Sequence, residues 1–401
     1  MTLLGNKILP EPNQIGSYNR EDVVFLLKDI SGMMEEIPTE QRERLIQKGV
    51  HYSEMLPLEY KPTPEYMDLF YQTLEESARK VAWATAVVAE KLVRFHSSDL
   101  VLVSLARAGT PVGILIRRYL EKIHGMKVPH YSISIIRDKG IDENALLYIL
   151  QKHGNKGLQF VDGWTGKGAI AMQLTKACQQ FQEKYAIELS DQLAVLADPG
   201  YCAPLYGTRE DYLIPSACLN STVSGLVSRT VYKPELLGSL DYHGARYYRE
   251  LKEEDVSNLF VNRISRYFEE VASEGQIYLK KKMRERICLT EGKCKGEQNS
   301  DPSLLLEPCS WQGLQSLQSI QNHFKMKDIN LIKPGVGETT RVLLRRVPWK
   351  ILVDSMNNPN LKHILILARD RNVPVEVYPD LIYSCCGLIK PLDGHERDRK
   401  E

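Results

Sequence analysis

From residue 99 onward, short apolar runs alternate with longer stretches whose apolar residues recur at helical spacing. That alternation predicts an α/β domain. The runs are DLVLVSLA (99–106), YSISIIRD (131–138), LQFVD (158–162) and QLAVLAD (192–198). Each reads as a strand buried on both faces, the pattern of a mainly parallel sheet flanked by helices. The intervening helices are predicted from Pro111 to His124, over ENALLYILQKH and over AIAMQLTKACQQFQEKY. Upstream, Glu65 to Phe95 has few helix breakers and places Leu69, Leu74, Val81, Val88 and Leu92 on one face, so a long helix leads into the first core strand. Residues 1–64 carry Pro10, Pro12, Pro38, Pro57, Pro62 and Pro64 and read as an N-terminal extension with short helices. The α/β domain therefore spans 65–265.

The pattern weakens over 266–325, where KKKMRER and CLTEGKCKGEQNSDPS predict a helical and polar linker. A compact second pattern occupies 326–393. It comprises a helix around Thr339 to Arg346, a strand KILVD, a helix NLKHILILARDR and a strand VPVEVY. At 401 residues, two or three domains are expected. A net charge of +1 argues against a polyanion-binding surface over the whole chain, although a local patch can hide in a neutral total. No apolar run is long enough to span a bilayer and the first residues lack a cationic segment followed by an apolar one, which predicts a cytoplasmic protein without membrane contact. The eight cysteines have no C-x-x-C spacing, so zinc sites are not expected, and disulfides are not expected in that compartment. Homo-oligomerisation is left open.

Candidate chemistry concentrates at two strand-to-helix turns. In LQFVDGWTGKGAI, a buried strand delivers Asp162 to its carboxyl end, followed by Gly163, Thr165, Gly166, Lys167 and Gly168. Backbone N–H groups of such a turn, with the positive end of the next helix, suit a phosphate. It is not a Walker A loop, because Val161 stands where the first glycine belongs and Gly168 where Ser or Thr would follow the lysine. In VLVSLARAGTPVGI, Arg107, Ala108 and Gly109 follow another buried strand and could hold a diphosphate. Between the two lies SIIRDKGID, whose Arg137 and Lys139 could shield charge on a leaving group.

SLARAGTP resembles the pyrophosphate loop of type I phosphoribosyltransferases, and VDGWTGKG resembles their ribose-phosphate signature. The resemblance implies a phosphoribosyltransferase-like fold and an enzyme binding 5-phosphoribosyl diphosphate with Mg2+. The phosphoribosyl group would go to an unknown base-like or RNA-linked acceptor. Asp162 would be catalytic and a metal ligand, and Arg137 and Lys139 would be catalytic. The sequence departs from that pattern in having Gly163 where the family has a second carboxylate, and in a shorter spacer before Thr165.

The C-terminal segment resembles the Pelota-type RNA-binding domain, which implies RNA as a candidate partner through Gly337, Glu338, Thr339, Arg341 and Arg345. Between 326 and 350, six cations face only Asp328 and Glu338, which suits phosphates. The two domains together resemble a bacterial family found with tellurite-resistance stress genes, whose members are also labelled cysteine proteases of the StiP type. That label implies a thiol nucleophile beside a histidine, with Cys202 or Cys218 and His243 as candidates. A non-catalytic nucleotide sensor coupled to RNA is the third reading.

Overall fold

The structure is a computed structural model and describes residues 8–96, 99–291, 302–345 and 348–390. Apolar runs become strands because their side chains alternate between two helix-covered faces. In chain order the sheet is built from β1 (Val24–Phe25), β2 (Val101–Ala106), β3 (His130–Ile136), β4 (Leu158–Trp164), β5 (Ala194–Ala197) and β6 (Leu205–Thr208). Their spatial order is β1-β3-β2-β4-β5-β6, and every one of these pairings is parallel. Gly140–Ile141 adds a short antiparallel edge to β3.

Helices α1 (Pro64–His96), α2 (Gly109–His124), α3 (Glu143–His153) and α4 (Ala169–Tyr185) cover the two faces. Leu102, Val161, Ala194 and Leu196 pack towards α1 and α2, while Val101, Val103, Phe160 and Val195 pack towards α3 and α4. The period-two division within one strand is the physical content of a run buried on both sides. A further helix, α5 (Phe268–Glu291), lies against α1, with Phe268 and Val271 in the same apolar cluster.

The N-terminal segment is tied into the domain. It supplies β1, pairs Lys28–Asp29 with Gly244–Ala245, and closes Glu36–Ile37 on Leu56–Pro57. The predicted helix from Pro111 begins two residues earlier, at Gly109. A Cβ there would lie 2.4 Å from the Val161 carbonyl oxygen, so only glycine lets α2 start against β4.

The second domain contains α6 (Gln312–His323), β7 (Ile332–Pro334), α7 (Gly335–Arg345), β8 (Lys350–Val353), α8 (Lys362–Asp370), β9 (Val375–Val377) and β10 (Cys385–Leu388). The strand order is β7-β10-β8-β9, with only the β8–β9 pair parallel. Leu317, Ile320, Ile332, Leu352 and Leu388 form its outer core. Val336, Leu343, Ile351, Ile364 and Cys385 belong instead to the cluster that fills the α1 side of the first domain. The two domains therefore share apolar packing. Arg346 and the charged tail beyond residue 390 lie outside the described residues. Among the described residues six cysteines carry free thiols, but Cys288 is disulfide-bonded, against the expectation from the sequence. No helix among the described residues is long and apolar enough to cross a membrane.

Candidate functional site

The carboxyl ends of β2, β4 and β5 meet the second domain, and the sequence-predicted turns sit there. The two turns are adjacent because their strands are: a Cβ on Gly163 would lie 3.2 Å from the Ala108 carbonyl oxygen. The Ala106–Arg107 peptide is cis. Asp162 is half-buried and its Oδ1 accepts the Gly163 N–H at 2.7 Å; burial pushes its carboxyl up to about 7.

The glycine-rich turn is occupied by the protein itself. Thr165 N–H donates to the Ala197 carbonyl at 3.0 Å, and Lys167 Nζ donates to the Ile329 carbonyl at 2.8 Å. Tyr383 Oη donates to the Gly166 carbonyl at 3.0 Å, and Pro334 lies 3.6 Å from where a Cβ on Gly166 would stand. Gly168, at φ +77°, is closed over by Trp311, whose ring a Cβ would meet at 2.4 Å. Burial, followed by the field of Lys333, lowers the Lys167 ammonium to about 8. The turn serves as a seat for the second domain.

Arg137 and Lys139 both meet the N-terminal segment, and the Arg137 charge also acts on Lys167 in the seat. Arg137 N–H donates to Tyr52 Oη at 2.8 Å, and Lys139 Nζ lies 3.4 Å from Glu54 Oε1. In α7, Gly337 faces the junction, its Cβ position 3.1 Å from Ala217 Cβ, and Thr339 is fully buried with its hydroxyl donating to the Lys333 carbonyl. Arg341 Nε donates to the Ala217 carbonyl at 2.7 Å and its guanidinium lies 5.5 Å from the Trp164 ring. Arg345 is exposed and Glu338 half-buried.

The thiols divide clearly. Cys202 follows β5 at the strand tips, its N–H donating to Asp198 Oδ1 at 3.0 Å. Asp198 also accepts from the Thr165 hydroxyl, the Ala203 N–H and Arg209. Burial holds Asp198 above the usual carboxylate range, opposed by Arg209 and Thr165. Burial, followed by Asp198, pushes the Cys202 thiol up to about 12. Cys218 is fully buried, with its thiol likewise pushed up to about 12 by burial and meeting Arg341 and Thr73.

His243 is not the partner of either thiol. Its Nδ1 meets Ser134 Oγ at 2.9 Å, its N–H donates to Asp142, and its ring faces Tyr232. Ser134 is on β3, and β3 and β5 are separated by β2 and β4. Three strand spacings put the two loci roughly 14 Å apart. Asp198, Arg209 and Trp311 were not singled out as site residues from the sequence. An aspartate at the carboxyl end of the buried run QLAVLAD was the available signal for the first of them.

A chain that joins this α/β sheet domain to a small α/β domain matches known proteins in sequence. Residues 16–265 match the family described as "Tellurite-like stress resistance cysteine protease StiP", and residues 311–391 match the "PELOTA RNA binding domain". The chain belongs to the StiP family. It is similar to "Cysteine protease StiP" of Acinetobacter baylyi (strain ATCC 33305 / BD413 / ADP1), with 35% identity over 388 residues covering 94% of each chain.

These matches overturn the phosphoribosyltransferase expectation. Both the family and the relative are described as cysteine proteases, so a glycosyl-transfer enzyme using 5-phosphoribosyl diphosphate and a base-like acceptor is the wrong reading. The physical reason it misled is the turn after β4: its glycines serve close packing against Trp311 and Pro334. The magnesium expectation came with that resemblance, and no three His, Cys, Asp or Glu side chains converge as a metal shell among the described residues.

Proposed function

We propose that the chain hydrolyses peptide bonds through the thiol of Cys202, as the description of its family and relative suggests. The observation that carries the choice is position. Cys202 lies at the carboxyl ends of the central strands, where open α/β sheets gather their chemistry, with a carboxylate beside it. Cys218 is walled in by core. No histidine is needed in this reading. The Cys202 thiol is protonated at rest, and Asp198, held above the ordinary carboxylate range, accepts its proton as sulfur attacks the peptide carbonyl. The C–N bond then breaks, Asp198 returns the proton to the departing amine, and water cleaves the thioester. Because Cys202 is 2% exposed beneath Trp311, the 307–313 segment must swing aside for a substrate.

The test is hydrolysis of an unfolded fluorescent protein by the full chain and by Cys202→Ser, Cys218→Ser and His243→Ala. Loss confined to Cys202→Ser is expected, with alkylation of Cys202 accelerated by substrate. Full activity in Cys202→Ser would remove the assignment.

The sheet order and the paired turns support a phosphoribosyltransferase-like topology for the first domain, without that activity. RNA binding by the second domain is a second reading, favoured by its match to the Pelota description and by Lys327, Lys333, Arg341 and Arg345 in one module.

A further inference from the structure

The segment that closes over Cys202 runs antiparallel to the stretch of chain that carries this cysteine. Glu307 N–H donates to the Pro204 carbonyl at 3.1 Å, Trp311 N–H to the Tyr201 carbonyl at 3.0 Å, and Gly313 N–H to the Gly200 carbonyl at 3.2 Å. The first two bonds bracket Cys309. It stands midway between Glu307 and Trp311, and Cys202 and Ala203 fill the matching gap on the other side. Facing residues of antiparallel chains have Cα atoms roughly 4.5–5.5 Å apart, and a disulfide spans Cα atoms about 4.4–6.8 Å apart. The register therefore sets two thiols within cross-linking range. Cys202 Sγ is on the side of the covering segment: it lies 3.1 Å from the Cβ position of Gly168, which the Trp311 ring approaches to 2.4 Å. Asp198 acts on both thiols, and Cys309 acts on Cys202 itself.

The two thiols differ in access. Cys202 is buried, whereas Cys309 is half-buried, and the other described free cysteines are all buried. A solute that attacks thiols therefore meets Cys309 first. The covering segment is pegged on both sides of this position. Arg286 Nη1 donates to the Leu304 and Leu306 carbonyls at 2.5 and 2.7 Å, and Arg209 Nη2 lies 3.5 Å from Glu307 Oε2. Beyond Trp311 the chain enters α6 at Gln312. These pegs hold the two sulfurs in register, yet every one of them is non-covalent and can release.

We propose that Cys202 and Cys309 form a reversible disulfide when a hydroperoxide oxidises the protein, with Cys309 as the sensing thiol and Cys202 as the resolving one. The Cys309 sulfur attacks the outer oxygen of the hydroperoxide and the O–O bond breaks. The remainder departs as an alcohol, or as water, with the thiol proton, and a sulfenic acid is left on Cys309. The Cys202 sulfur then attacks the Cys309 sulfur, the S–O bond breaks, and hydroxide leaves as water with the Cys202 proton. Two thiols are oxidised and one peroxide is reduced. Burial raises both thiols, so few are ionised at neutral pH and the pair closes only under a heavy peroxide load. The disulfide consumes the sulfur that hydrolysis needs and ties down the segment that must swing aside, so oxidation switches hydrolysis off and a small dithiol restores it. Only that effect on hydrolysis rests on the Cys202 reading; the cross-link does not.

The experiment uses the full chain, reduced, desalted and exposed to hydrogen peroxide. Remaining thiols are alkylated, and the protein is digested without reductant for mass spectrometry, while hydrolysis of the unfolded fluorescent protein is followed in parallel. Wild type, Cys309→Ser and Cys202→Ser are compared. Oxidised wild type should yield a peptide pair joined through Cys202 and Cys309, and should lose hydrolysis in proportion to that link and regain it with dithiothreitol. Cys309→Ser should melt with wild type and hydrolyse at the wild-type rate when reduced, form no link, and show no loss that dithiothreitol reverses. In Cys202→Ser the sulfenic acid on Cys309 has no resolving partner and should be trapped by dimedone. A link that forms in wild type while Cys202→Ser hydrolyses as fast as wild type upholds the cross-link and removes the nucleophile assignment. Absence of the linked peptide from oxidised wild type, or equal reversible inhibition of Cys309→Ser, overturns the proposal.

Discussion

Asp211 is the carboxylate on which the seating of the second domain turns, and its removal can be worked through. It belongs to the first domain, yet Oδ1 accepts the Val336 N–H at 2.9 Å and Oδ2 the Ser384 N–H at 2.9 Å. The Ser384 hydroxyl donates to the Asp211 carbonyl, a bond that a substitution leaves intact. In Asp211→Ala, two buried N–H donors lose their acceptors, at about 1–3 kcal/mol each. The expected loss is therefore about 2–6 kcal/mol, towards the lower end if water enters the space vacated. Because two domains need not unfold together, the assay is residue-resolved hydrogen exchange, corrected for intrinsic rates, at the amides of Val336 and Ser384 and along α7. Protection there should fall while β2 and β3 keep theirs.

Burial pushes the Asp211 carboxyl up to about 7, so the folded protein holds this proton more tightly than the unfolded chain. The associated stability is complete below the ordinary aspartate range and is lost as pH rises through about 7. Wild-type protection of α7 should therefore decline between about pH 4 and 7 and level off above, and the alanine variant should lack that step. Unchanged protection in Asp211→Ala, or a wild-type profile flat across that window, would refute the latch.

Gly168→Ala combines a left-handed φ of +77° with a contact of 2.4 Å to the Trp311 ring, and should destabilise by about 1–3 kcal/mol in a denaturant titration while increasing alkylation of Cys202. His130 is buried and His363 half-buried, and desolvation lowers both imidazoles to about 4. Their neutral forms support the fold above the unfolded-state value, and that support is lost as pH falls through about 4. The urea midpoint should thus drop between about pH 6.5 and 4, with part of the drop absent in His130→Gln.

The first-domain strands and helices were legible because both faces of the sheet are buried, so local hydrophobicity and final burial agree. The start of α7 was not. GVG reads as a turn, and the helix was expected only from Thr339, but Asp211 lies 125 positions earlier in sequence and supplies the acceptor that Val336 requires. The prolines of 1–64 gave no sign that Val24–Phe25 would pair with β3, since two residues carry no periodicity. At the site, glycine-rich turns were found at the right strand tips and read for the wrong chemistry. Sequence can show that a glycine permits close approach, but not whether a phosphate or the Trp311 ring makes it.

The apolar cluster that continues from α1 through Val336, Leu343 and Ile364 runs unbroken from one half into the other. A fragment ended in the linker would leave oily surface on each piece. The natural unit for transplantation, fusion or expression is therefore the joined pair, and variation that altered one half would have to be answered in the other across their seam.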